Sequence, residues 1–101
     1  MHIGVNDREY EKNAKDLVCA ITRYVDYHLK VNGVAARKRT ELVNNITFSL
    51  CALLDGSANI PTRRRKPVVP VIGFLVDRKK RKAVLSETVS FHEMFSLLIK
   101  D

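Results

Sequence analysis

The residues of this chain best suited to chemistry are its cations, which gather in three short runs. The runs are Arg37, Lys38 and Arg39; Arg63, Arg64, Arg65 and Lys66; and Arg78, Lys79, Lys80, Arg81 and Lys82. Guanidinium and ammonium groups bind phosphates, and each neutralised phosphate of a nucleic acid releases condensed counterions. The second and third runs therefore predict a binding site for a polyanion, with nucleic acid as the leading ligand.

The charge is concentrated rather than spread along the chain. Twelve basic residues stand against three acidic ones between positions 36 and 82, whereas the whole chain carries a net charge of +7. Solubility and protection of a sheet edge are the simpler explanation, because charged edges discourage aggregation. Nine cations in two runs exceed that need, and acidic residues serve solubility better. Neither run contains an aromatic residue, so binding through phosphates with little sequence specificity is expected.

The first run, residues 37–39, predicts a candidate anion site. It falls in the first turn of the second predicted helix, where the helix dipole is positive and acidic residues are usual. A helix start with three cations beside it can hold a phosphate, carboxylate or sulfate. The alternative is that the helix begins later, near Thr40, and that the three residues form a solvated linker.

No catalytic or metal-binding constellation is present in the sequence. The histidines, His2, His28 and His92, form no pair at helical spacing and do not join a cysteine at ligand spacing. His92 could form an acid–base couple with Glu93, but Glu93 is better explained as a helix-capping residue. The glycines are isolated, so no phosphate-binding loop is predicted. We expect no enzyme, no cofactor and no metal.

Two long helices should position the first run. Asn6 and Glu9 make a capping box, after which apolar residues alternate at spacings of four and three. This stripe, which predicts one buried face along the whole helix, comprises Tyr10, Ala14, Leu17, Ile21, Tyr24, His28 and Val31. Asn32 and Gly33 end the helix, and a second helix follows over residues 36–54. The short link makes the two helices an antiparallel hairpin.

The remaining residues should form a β-hairpin and a third helix. Residues 57–67 form a basic loop, residues 68–76 and 82–86 two strands, and residues 77–81 the charged loop between them. Ser90 and Glu93 make a second capping box for a short C-terminal helix. The chain is therefore predicted to be one α+β domain, residues 1–101, of order ααββα. A two-stranded sheet is marginal alone, so coverage by helices or extension by a second copy in a homodimer is expected.

Nothing in the sequence indicates secretion or membrane insertion. The longest apolar run, residues 68–76, is too short to span a bilayer as a helix, and acidic residues crowd the start of the chain. Two cysteines without Cys-x-x-Cys spacing are too few for a disulfide framework. The sequence therefore predicts a cytoplasmic protein with free thiols and no membrane partner.

The order of elements resembles that of the bacterial histone-like architectural proteins, but no Pro-tipped basic ribbon is present and no family is assigned. Two alternatives to nucleic-acid binding stay open. One is a protein-interaction or self-assembly module whose charge meets an acidic protein. The other is a binder of a phosphorylated small molecule at the start of the second helix.

Overall fold

The computed structural model describes residues 1–56 and 69–100, the side chain of Lys100 excepted. In this part of the chain the elements are β1 (His2–Val5), α1 (Asp7–Val31), α2 (Ala36–Leu54), β2 (Phe74–Asp77), β3 (Lys82–Leu85) and α3 (Phe91–Lys100). The predicted α+β class and the order of helices and hairpin are confirmed, with one strand added at the N-terminus. None of the described helices is both long and apolar enough to cross a membrane.

Local signals set the bounds of the helical hairpin. The Asn6 side chain caps α1 by accepting a hydrogen bond from the Glu9 amide at 3.1 Å. Gly33 ends the helix with φ at 82°, a conformation that costs glycine little. The reciprocal half of the predicted capping box is not formed, because the Asn6 amide donates instead to the Leu85 carbonyl at 3.1 Å. This bond ties the start of α1 to the end of β3.

The sheet has three strands in the order β1-β3-β2, with β1 parallel and β2 antiparallel to β3. The strand β1 was not predicted, because His2–Val5 is only four residues long, contains a glycine and lacks alternating polarity. The strand predicted over residues 68–76 is regular only from Phe74 to Asp77; residues 69–73 are irregular, and residue 68 lies outside the described part. The chain thus extends its own sheet, which removes one argument for a partner subunit.

The core lies where the first half of α1 meets the sheet, α3 and the end of α2. Its buried members are Tyr10, Ala14, Val18, Cys51, Val84, Phe91, Met94 and Phe95. The ring of Tyr10 has its centroid 5.0 Å from that of Phe74, in an edge-to-face arrangement that aromatic pairs prefer.

The apolar stripe of α1 is not buried along its whole length, contrary to the prediction. Tyr24 is 69% exposed and Val31 is 59% exposed. The reason is length: a helix of 25 residues extends about 37 Å, whereas a strand of four residues covers about 13 Å. The sheet and the short α3 therefore cover α1 only as far as about Arg23. The second helix packs against α1 but leaves Tyr24 and Val31 exposed.

Candidate nucleic-acid interface

Residues 78–81 of the third run form the turn of the β-hairpin, and the fifth cation, Lys82, is the first residue of β3. We call residues 78–82 the basic turn. Hydrogen bonds of the main chain fix the shape of the basic turn. The Asp77 side chain accepts one of them from the Lys80 amide at 3.0 Å. Arg81 adopts a left-handed conformation with φ at 52°, and its carbonyl accepts a hydrogen bond from the His2 amide at 3.0 Å. The turn is thus held through its main chain, and none of these bonds uses a basic side chain.

The five side chains of the basic turn all face solvent. None of them forms an ion pair within the described ranges 1–56 and 69–100. Asp77 directly precedes the turn in the sequence, and one of its carboxylate oxygens accepts the hydrogen bond from the Lys80 amide. Five like charges on adjacent residues repel one another, so an anion that neutralises them is favoured electrostatically.

The first run lies where it was predicted, in the first turn of α2. The helix begins at Ala36, so the alternative of a helix start near Thr40 is wrong. Arg39 points back to the preceding helix, with its Nε 2.8 Å from the Asp26 Oδ1. Its Nη1 also donates to the Val34 carbonyl at 3.2 Å. This guanidinium therefore braces the helical hairpin.

The charge of Lys38 is also paired within the chain, because Lys38 forms a surface ion pair with Glu41 at 3.4 Å. Arg37 is then the one cation of this run without an ion pair among the described residues. A candidate anion site at residues 37–39 stays a prediction, with less unneutralised charge than the basic turn offers. The second run, Arg63, Arg64, Arg65 and Lys66, lies outside the described residues.

The structure contains an interaction between Asp55 and His92 that was not predicted from the sequence. Asp55 follows α2 directly, and its side chain is only 8% exposed. Its Oδ2 accepts a hydrogen bond from the His92 amide at 3.0 Å and lies 2.5 Å from the Nδ1 of the same residue. A carboxylate from α2 therefore caps α3. The predicted capping box of Ser90 and Glu93 is wrong, because the Ser90 Oγ is buried and has no hydrogen-bond partner in the described structure.

The charge of Asp55 affects the pKa of two neighbouring groups. Burial, with a smaller contribution from the Asp55 charge, raises the pKa of Cys51 to about 11. The same two causes raise the pKa of Tyr10, whose hydroxyl donates to the Ile72 carbonyl at 2.7 Å. Both groups are therefore neutral at pH 7. A thiol in this state is a poor nucleophile, which makes a structural role the better explanation of Cys51.

A cavity of about 270 Å³ borders Asp55, Tyr10 and Ser90. Among the described residues, its charged lining residues are Asp55 and the exposed Glu87. This cavity lies at the end of α2, so it does not bear on a phosphorylated ligand bound at the start of that helix, and the small-molecule alternative stays a prediction. In residues 1–56 and 69–100 no group of three potential metal ligands comes together.

Comparison with known proteins adds no functional assignment. No protein-family model, no curated protein and no solved structure matches the chain. The candidate interface therefore rests on the residues themselves, the exposed cations of the basic turn that form no ion pair in the described part of the chain.

Proposed function

We propose that this protein is a non-catalytic cytoplasmic binding protein that contacts nucleic acid through the basic turn. The observation that carries the proposal is five consecutive exposed cations with no ion pair among the described residues. Placing them on one tight turn is unfavourable for the isolated protein. A polyanion removes that repulsion and gains the entropy of released counterions.

The geometry supports contact with phosphates rather than with base edges. The turn joins two strands of four residues each, so it presents a short, compact patch of charge. Arginine and lysine contacts to phosphate position a protein without carrying sequence information. We therefore expect duplexes of different sequence to bind about equally well. Affinity should also fall steeply with salt, since each phosphate contact on a duplex contributes about −0.9 to the log–log slope.

The test is a binding titration against labelled duplexes at several salt concentrations between about 50 and 200 mM. The test variant is Lys79→Gln/Lys80→Gln, which removes two charges from the turn. Its matched control is Lys12→Gln/Lys15→Gln, two exposed lysines of α1, which changes the net charge equally.

The turn variant should reduce the magnitude of the duplex salt slope by up to about 1.8, corresponding to two lost phosphate contacts. The α1 control should leave the slope nearly unchanged. Equal effects of the two variants would show that only net charge matters and would refute a binding site at the turn.

A second candidate function, self-association in a homodimer, is favoured by the outer face of the sheet. Ile3, Ala83 and Leu75 lie side by side in the strand register, on the face opposite Phe74 and Val84. Ile3 is 64% exposed and Leu75 is 44% exposed. A second copy packed on this face would bury both side chains. Sedimentation equilibrium tests it: Leu75→Lys should weaken association, and a monomer at high micromolar concentration would exclude it.

A further inference from the structure

Two tyrosines project from the part of α1 that the sheet does not cover. Tyr24 is 69% exposed and Tyr27 is 58% exposed. With Ala20 and Arg23 they line an open groove with a volume of about 480 Å³. Positions 20, 24 and 27 follow one face of the helix, because residues three and four apart are neighbours on a helix surface. The result is an aromatic surface with an arginine at its side.

These rings are not part of the core. The buried residues of α1 are Tyr10, Ala14 and Val18, all in its first half. Single exposed apolar residues are common and need no explanation. A pair of exposed aromatic rings lining one groove is different, because each ring offers a large flat surface that is favourable to cover.

The charge around the groove is positive. Two acidic residues lie near it: the exposed Asp16, one turn before Ala20, and Asp26, whose carboxylate is bound by Arg39. Arg23 and Lys30 are exposed and form no ion pair within the described part of the chain. A cationic partner would be repelled here, whereas a polyanion with flat apolar groups would match both the charge and the rings.

We propose that this groove binds single-stranded nucleic acid by stacking bases on Tyr24 and Tyr27, with Arg23 contacting the backbone. The inference rests on the proposed function for the ligand class and adds a preference for single strands. Aromatic rings beside cations bind single strands with little sequence preference, because every base has a stacking face. In a duplex the bases are already stacked and paired, so the rings gain nothing from it.

The experiment compares a single-stranded oligonucleotide of about 12 nucleotides with a duplex of the same sequence, at one salt concentration. The test variant is Tyr24→Ala/Tyr27→Ala, and the conservative control is Tyr24→Phe/Tyr27→Phe, which keeps both rings. The alanine variant should bind the single strand about 5- to 150-fold more weakly per stacked base. Its affinity for the duplex should change little, and the phenylalanine control should retain most single-strand binding.

Intrinsic tyrosine fluorescence supplies a second measurement, because the chain has three tyrosines and no tryptophan. Stacking should quench the emission of Tyr24 and Tyr27 when unlabelled single strand is added to the wild-type protein. Tyr10 is buried and should be quenched little. Both variants should fold like the wild type, because neither ring contributes to the core. Circular dichroism checks this.

The outcomes separate this inference from the proposed function. Single-strand affinity unchanged in the alanine variant, together with weaker binding by Lys79→Gln/Lys80→Gln, refutes the groove and leaves the basic turn. The opposite pattern supports the groove and refutes the turn. No binding of either nucleic acid by the wild type refutes both. A wild-type dimer that the alanine variant converts to a monomer would show that a second copy covers the groove, which overturns the inference.

Discussion

Truncating Asp55 is the sharpest test of how the structure joins α2 to α3. In Asp55→Ala the His92 amide loses its acceptor at 3.0 Å, and the His92 ring loses a charge-assisted contact at 2.5 Å. Loss of a helix N-cap costs about 0.5–2 kcal/mol, and loss of a hydrogen bond to a charged group about 1.5–3 kcal/mol. Removing a charge that is only 8% exposed recovers part of its desolvation cost. We therefore expect a net loss of about 2–3 kcal/mol in the free energy of unfolding.

The measurement is urea and thermal unfolding at pH 7, followed by circular dichroism. A loss of about 2–3 kcal/mol lowers Tm by roughly 8–24 °C in a domain of this size. Asp55→Asn, which keeps an acceptor oxygen but loses the charge, should fall between the wild type and Asp55→Ala. The matched comparison is Ser90→Ala, since Ser90 is the residue that sequence patterns favour as the cap of α3.

Ser90→Ala should be neutral or stabilising, because it removes a buried hydroxyl that has no partner in the described structure. A true serine cap would instead cost about 0.5–2 kcal/mol when truncated. A destabilised Ser90→Ala beside a near-neutral Asp55→Ala would refute the assignment of Asp55 as the cap and restore the capping box.

Three further predictions concern acid stability, backbone strain and thiol chemistry. A hydrogen bond from Ser86 lowers the pKa of Asp7 below 3.8. The stabilisation by Asp7 is therefore present above that pH and is lost as pH falls through the lower pKa of the folded state. In Asp7→Asn the free energy of unfolding should depend less on pH in this acidic range. Gly33→Ala should cost about 1–2 kcal/mol for its left-handed backbone alone. Gly56→Ala should cost more, because it has the same backbone conformation and the new Cβ would also clash with a Val69 methyl group; urea unfolding of both variants checks the ranking. Cys51, with a pKa of about 11, should resist alkylation of the native protein at pH 8, and rapid labelling there would contradict its burial.

Features determined by neighbouring residues were predictable from the sequence. The predicted span of α2 agrees with the observed Ala36–Leu54, and α1 begins at its asparagine cap and ends before Gly33. Such boundaries depend on a capping side chain or on a glycine with positive φ, both visible in a short stretch of sequence. The β-hairpin was equally local, since its two strands and the basic turn between them are adjacent in the chain.

Features determined by distant residues were not predictable. β1 exists because β3, about 80 positions away, offers a free edge to four residues with weak strand character. The cap of α3 comes from Asp55, 37 positions from the His92 amide. The apolar stripe of α1 correctly indicated one face of a helix, but periodicity does not state how far another element extends to cover that face.

The difference between local and distant contacts also explains why the first run and the basic turn differ in how much unneutralised charge they offer a ligand. A helical hairpin that turns at residues 32 and 33 brings together positions equally distant from that turn, and Asp26 and Arg39 satisfy this relation. The first run therefore faces an acidic residue of its own chain and is largely neutralised. The basic turn lies at the tip of a β-hairpin, where the partner strand supplies only Asp77. No other acidic residue of the described part pairs with the charge at this tip, so the basic turn offers a ligand more unneutralised charge than the first run does.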